Sequence, residues 1–213
     1  MNENLLRFKK NQLYLVFDAE TENLNICENN RPWQIGCLLC RGKEIEKKYE
    51  ANIWWEDLNI GEEAARITRF NYENYKATAQ DPKEVFDKVA KYLYDPSVIV
   101  VGQNLFNFDN AIINNWRRAM GMTADWSFVE RTIDIRALFA QLQKENKSFD
   151  WSDAYSHQIK YIHHRERGLK TSLAFMRKYF GMEYDPNLHH SALQDVVYTW
   201  EVFSQQLIYQ IEI

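Results

Sequence analysis

Two carboxylates, Asp18 and Glu20, close the apolar run Leu13-Tyr14-Leu15-Val16-Phe17. Strand side chains alternate between faces, so Asp18 and Glu20 share one face while Phe17 and Ala19 point into the other layer. Like charges this close raise each other's pKa unless a cation lies between them, and hard divalent cations prefer oxygen ligands. A metal site accounts for the pair. Two solvated acids at an edge-strand turn account for it as well, so the reading depends on whether other acids converge on the same surface.

A third acid ends Asn104-Leu105-Phe106-Asn107-Phe108-Asp109, directly after the β-branched run Ser97-Val98-Ile99-Val100-Val101-Gly102. An Asp opening a helix is ordinary capping. Open α/β sheets nevertheless build their sites just beyond strand ends, and Asp109 stands at one. The fourth acid lies in His189-His190-Ser191-Ala192-Leu193-Gln194-Asp195. Ser191-x-x-Gln194 reads as a capping box, which makes Ser191 the N-cap, leaves His190 on the preceding loop and puts Asp195 one turn inside the helix. In mid-helix a separation of five would turn the two side chains onto different faces, whereas the cap lets His190 swing over a site that Asp195 lines. The plainer alternative is a surface His beside a capped helix whose Asp favours the positive end of the dipole. His189 is assigned no role.

These residues meet only if a sheet brings them together. Residues 12 to 18 read as a first strand, Trp33 to Cys40 as a second and Glu44 to Ile53 as a third, with Arg41-Gly42-Lys43 as a hairpin turn, an antiparallel meander. A short helix is expected within 61 to 75. Asp81-Pro82-Lys83-Glu84 places an N-cap, a first-turn Pro and an acid ahead of an apolar stripe at helical spacing, Val85, Phe86, Val89, Ala90 and Leu93. The run ending at Gly102 reads as a buried, parallel strand. Helices follow at 109–120, 135–144, 171–180 and 191–210, and the polar, aromatic stretch 145–168 is expected to be a mobile insertion. A meander followed by alternating helices and a buried strand predicts an α/β fold with helices packed on the sheet.

At 213 residues and 46% hydrophobic content, one core and a single domain spanning 1–213 are expected. No run approaches the roughly 18 apolar residues of a membrane span and no leader pattern is visible, so a soluble, cytoplasmic protein without a membrane partner is expected. Cys27, Cys37 and Cys40 do not make an even set, and Cys37-x-x-Cys40 lies in an apolar stretch with no second ligand pair, which favours strand packing over zinc. The net charge of −4 excludes a nucleic-acid binder held by a broad basic face, but not one that touches few phosphates.

Asp18-x-Glu20 after a strand, Asp109 in an Asn-x-x-Asn-Phe-Asp loop and His190-x-x-x-x-Asp195 near the C-terminus resemble the three motifs of the DnaQ-like 3′–5′ exonucleases, histidine subclass (DEDDh). The resemblance covers roughly residues 12 to 203, with Thr21, Leu24, Trp33-Gln34-Ile35-Gly36, Ser172-Leu173-Ala174-Phe175 and Tyr179-Phe180-Gly181-Met182 also matching. Two features depart from its usual forms. The middle motif looks like that of B-family polymerase proofreading domains, yet Ser191 stands where those domains carry a Tyr, which leaves His190 as the family's histidine.

The resemblance implies a ribonuclease H-like fold with a mixed central sheet, meander plus parallel strands, flanked by helices. It implies that Asp18, Glu20, Asp109 and Asp195 hold two Mg²⁺ or Mn²⁺ ions about 3.5–4 Å apart. Asp18 would bridge both, Glu20 and Asp195 would serve the ion carrying the attacking water, Asp109 would place the other, and His190 would be the general base. The implied substrate is nucleic acid with a free 3′ end, single-stranded DNA foremost, cut to nucleoside 5′-monophosphates. Thr21, Leu24, Asn104 and Phe108 are candidate substrate contacts, with Leu24 a wedge against the terminal bases and Phe108 either stacked on a base or packed in the core. Lys160, His163, His164, Arg165, Arg167 and Lys170 form a dense basic patch, from which Arg165 and Arg167 are candidate phosphate contacts; a solvated loop is the alternative. Proofreading would need a separate polymerase partner. Rival readings are an exoribonuclease acting on short RNA, an inactive module that binds nucleic-acid ends, and a ribonuclease H-type endonuclease, which the His190 to Asp195 spacing disfavours.

Overall fold

The structure, a computed structural model, describes residues 10–27, 29–164, 166–186 and 191–212. Strand β1 (Leu13–Thr21) is the centre of a five-stranded mixed sheet ordered β3-β2-β1-β4-β5. β2 (Pro32–Arg41) pairs antiparallel with β1, and β3 (Glu44–Asn52) continues the meander to one edge. β4 (Val98–Gly102) runs parallel to β1 and β5 (Thr132–Asp134) parallel to β4. Parallel pairing needs a long crossover. The one between β3 and β4 contains α1 (Glu62–Thr68), α2 (Tyr72–Thr78) and α3 (Pro82–Leu93), where a single short helix was expected before α3. α3 starts as its sequence predicts, with the Asp81 carboxylate accepting from the amides of Lys83 and Glu84 ahead of Pro82 in the first turn.

α4 (Asp109–Ala119) links β4 to β5, and α5 (Ile135–Gln143), α6 (Ala154–Ile162), α7 (Leu173–Tyr179) and α8 (Ala192–Val202) follow. The alternation of β1 sorts them into two layers. Leu15 and Phe17 pack with α3 and α4, whereas Tyr14 and Val16 pack with α5, α7 and α8. The α/β class, the meander with parallel strands and the flanking helices are those the sequence implies.

Four elements differ from expectation. β1 extends to Thr21, because β2 stays paired to its polar end, so Asp18 and Glu20 stand inside the strand opposite Gly36 and Gln34. β5 has only three residues, too few for periodicity to reveal. Residues 154–162 form α6, which packs on α5 with Tyr161 and Ile162 buried. The last helix passes after Val202 into a π-helical turn, Phe203–Leu207, and a final turn at Ile208–Gln210. Cys37 and Cys40 are free and buried in opposite layers, which fits packing and not a shared metal. Among the described residues no helix is long and apolar enough to cross a membrane.

Candidate active site

Asp18 and Glu20 face the layer that contains α8, and the first turn of α8 brings Asp195 to them. One carboxylate oxygen each from Asp18, Glu20 and Asp195 lie within 4.8 Å of one another. This approach depends on Gly36. A Cβ there would stand 2.3 Å from the carbonyl carbon of Ala192 and 2.5 Å from the amide nitrogen of Leu193, so a side chain would displace α8 from the sheet. The same turn is tied to the sheet by side chains of β2 and β3. The Ala192 amide donates to Gln34 Oε1 at 3.4 Å, and the Leu193 amide and Ser191 Oγ donate to Glu50 Oε1 at 3.3 and 3.2 Å. Ser191 does occupy the N-cap position, but its hydroxyl turns to Glu50 and makes no capping hydrogen bond. The expected capping box is therefore replaced by a docking contact, because Gln34 and Glu50 already satisfy amides that a cap would serve.

Asp109 reaches the cluster from the other side of β1. β4 pairs with β1 only as far as Val16↔Val101, and Asp109 Oδ1 takes over beyond it by accepting from the Ala19 amide at 3.2 Å. Asp109 is the first residue of α4 and not its cap, which is Phe108. Ordinary capping therefore does not account for this buried acid.

Burial, followed by the charges of Asp109, Glu20 and Asp195, holds the Asp18 carboxyl well above the usual carboxylate range. Burial, then Asp195 and Asp109, push Glu20 to about 8. Burial raises Asp109 to about 7, against the lowering effect of its hydrogen bond from Ala19. Among the described residues no cationic side chain offsets the shifts of Asp18 or Glu20. A clustered set of oxygen donors, two half-buried and one buried, whose repulsion a cation would remove fits a hard divalent metal.

The pH dependence follows in sign. Glu20 is raised from 4.5 to about 8, so the stability its neutral form contributes is complete below 4.5 and is lost as pH rises to about 8. Without metal, Glu20→Gln is expected to melt higher than the unaltered chain at pH 8, by a few degrees, with the difference shrinking toward pH 5. Adding Mn²⁺ should raise the melting temperature of the unaltered chain more than that of the variant. Thermal melts in chelator and in Mn²⁺ check both; a variant less stable than the parent at pH 8 in chelator would contradict the strained cluster.

The loop that delivers Asp109 is shaped by a residue the sequence reading did not single out. Asp134, fully buried at the end of β5, accepts from the amides of Asn104 at 2.8 Å, Phe106 at 3.3 Å and Arg136 at 2.9 Å, capping α5 with the last of these. Its only signal was its position after a short apolar stretch and before a helical pattern. Asn104 takes a left-handed backbone, φ +69°, and its side-chain oxygen accepts from Asn107 and Arg136. Phe108 is half-buried and lies outside the core clusters. Thr21 is buried, its hydroxyl donating to the Asn23 carbonyl at 2.6 Å. Leu24 is 57% exposed. Arg167 is exposed in the expected basic patch, where Glu166 pairs with Lys144 and His164. Arg165, His189 and His190 lie outside the described residues.

The exonuclease family model RNase_T matches residues 15–203. No curated protein matches the chain by sequence search. Among solved structures, E. coli Exonuclease I in complex with a dA16 oligonucleotide aligns with a TM-score of 0.70 at 15% identity, over 93% of this chain and 42% of that one. The zinc-bound form of the E. coli enzyme with single-stranded DNA gives 0.70 at 15% identity, over 93% and 42%. A product-bound exonuclease I gives 0.68 at 17%, over 95% and 44%. At these identities the likeness shows the fold, and this chain spans less than half the length of those proteins.

Proposed function

This chain belongs to the exonuclease family, and on that premise we propose that it removes nucleotides from the 3′ end of single-stranded DNA as nucleoside 5′-monophosphates. One observation carries the reading: carboxylate oxygens of Asp18, Glu20 and Asp195, from a strand and a helix far apart in sequence, converge within 4.8 Å. The DNA oligonucleotides held by the Exonuclease I structures support the choice of substrate.

In this reading Asp18, Glu20, Asp109 and Asp195 would hold two Mg²⁺ or Mn²⁺ ions. Such ions, when bound, stabilise the charge on the attacking and leaving oxygens of the phosphodiester. The chain's own groups do the rest. Asp109 keeps its orientation through the Ala19 amide, and Asp195 through the docking of α8 on Gly36, Gln34 and Glu50. His190, next to Ser191 in the sequence, takes the proton of the attacking water, the role an imidazole titrating near neutrality suits. Leu24 wedges against the terminal bases, Thr21 and Asn104 shape the pocket wall, and Phe108 offers a ring to the terminal base. Arg165 and Arg167 hold phosphates further along the strand. A single-stranded end needs no unpairing, which costs a few kcal/mol in a duplex.

Matched DNA and RNA oligonucleotides of one sequence test the substrate. Mononucleotide release in Mn²⁺ should be faster from DNA by about tenfold or more, since a site built around one sugar discriminates by at least about 1.4 kcal/mol. Equal rates, or faster release from RNA, would overturn the DNA assignment.

A further inference from the structure

The sheet face opposite the acids has a groove of its own. Leu15, Leu39 and Val89, all buried, floor a cavity of about 210 Å³ between edge strand β3 and α3. Lys47 and Tyr49, paired with Leu39 and Cys37 across β2, turn toward α3 on one side. Lys88, Lys91 and Tyr92 project from one face of α3 on the other, at the three- and four-residue spacing that aligns helix side chains. Lys48 also borders the cavity, but its side chain, paired with Leu38, leaves from the opposite face of β3. The Lys88 ammonium lies 5.6 Å from the centre of the Tyr49 ring and that of Lys91 4.8 Å from Tyr92.

All four lysines are exposed, and among the described residues none forms an ion pair. Three acids of β3 and α3 are engaged elsewhere: Glu46 with Arg41, Asp87 with Lys83, and Glu50 with the first turn of α8. A chain of net charge −4 therefore concentrates positive charge around an apolar floor. Among the described residues the Tyr49 hydroxyl is buried without a hydrogen-bond partner, so the ring presents its apolar body to the groove.

We propose that this groove docks an acidic segment of another protein, which inserts one apolar side chain between Tyr49 and Tyr92 and sets carboxylates against Lys47, Lys88 and Lys91. The apolar floor selects the occupant. A carboxylate or phosphate pressed onto Leu15, Leu39 and Val89 would be desolvated, whereas an aliphatic or phenyl group is stabilised by burial there. A nucleic-acid backbone would use the lysines and leave the floor empty, and the sheet stands between the groove and the acids of the active site. Charged rims govern encounter and specificity while a buried anchor holds the complex, so the groove has both parts of a recruitment site. Docking here leaves the catalytic face open.

The test uses the whole protein and a fluorescein-labelled peptide of aspartates and glycines with one central phenylalanine, followed by anisotropy. The peptide is expected to bind, and changing its phenylalanine to alanine should weaken binding about tenfold. Lys88→Glu with Lys91→Glu should weaken it by a similar factor or more, with hydrolysis of a DNA oligonucleotide unchanged. Failure to bind, indifference to the phenylalanine, or displacement of the peptide by single-stranded DNA in chelator would each overturn the proposal, the last by assigning the groove to nucleic acid.

Discussion

Asp18→Asn is expected to lower metal-dependent hydrolysis to background while the protein remains folded. Asp18 is the acid that the other three surround: Asp109, Glu20 and Asp195 all raise its pKa. Asparagine keeps its shape and removes both an anionic ligand and the centre of the repulsion, so structure should be preserved while affinity for the divalent ion collapses. His190→Ala provides the scale, since losing a general base costs about 10²–10⁴-fold and leaves the rest of the site intact. Metal titrations of mononucleotide release separate the two variants. Raising Mn²⁺ should not rescue His190→Ala, and Asp18→Asn should stay inactive at any concentration reached. Full activity of Asp18→Asn would remove the metal-site assignment.

Gly36→Ala should damage the enzyme through geometry alone. The added carbon would meet main-chain atoms of Ala192 and Leu193, which cannot swing aside as a side chain could. α8 must then lift from the sheet, Asp195 lifts with it, and the contacts from Gln34 and Glu50 to that turn lengthen. A misplacement of about 1 Å in a catalytic constellation costs about 10²-fold in rate, and overpacking a tight interface costs roughly 1–3 kcal/mol of stability. Gly61→Ala is the control. Its Cβ would come no nearer than 3.5 Å to the Glu22 carbonyl oxygen, so rate and melting temperature should stay near those of the parent. If Gly36→Ala matches Gly61→Ala, the close approach of α8 does not position Asp195.

These two variants also divide what was legible in the sequence from what was not. Asp18, Glu20, Asp109 and Asp195 were recognisable because acids beside apolar runs conflict with burial, and such conflicts mark sites. The meander and the parallel β4 followed from alternation and β-branched content. Gly36 was visible only as part of a matching stretch, because a glycine's reason for being small lies in whatever packs on it, here α8. Asp134 was missed for a related cause: β5 is too short to show a period, and its hold on the loop before Asp109 runs through an amide thirty residues earlier. At Ser191 the local rule indicated the N-cap position correctly and the wrong hydrogen bond, since the acceptor that wins, Glu50, is distant in sequence. The lysine groove was equally unreadable. Lys47 looks like part of a solvated edge strand until α3 sets Lys88 and Lys91 opposite it.

The measurement closest to the central claim follows one single-stranded DNA oligonucleotide, labelled at its 5′ end, in Mn²⁺ and in chelator, beside the same sequence ligated into a circle. The linear strand should shorten stepwise from its 3′ end with release of nucleoside 5′-monophosphates, only when metal is present, and the circle should survive. Cleavage of the circle, early loss of the 5′ label as a mononucleotide, or hydrolysis undiminished by chelator would contradict it.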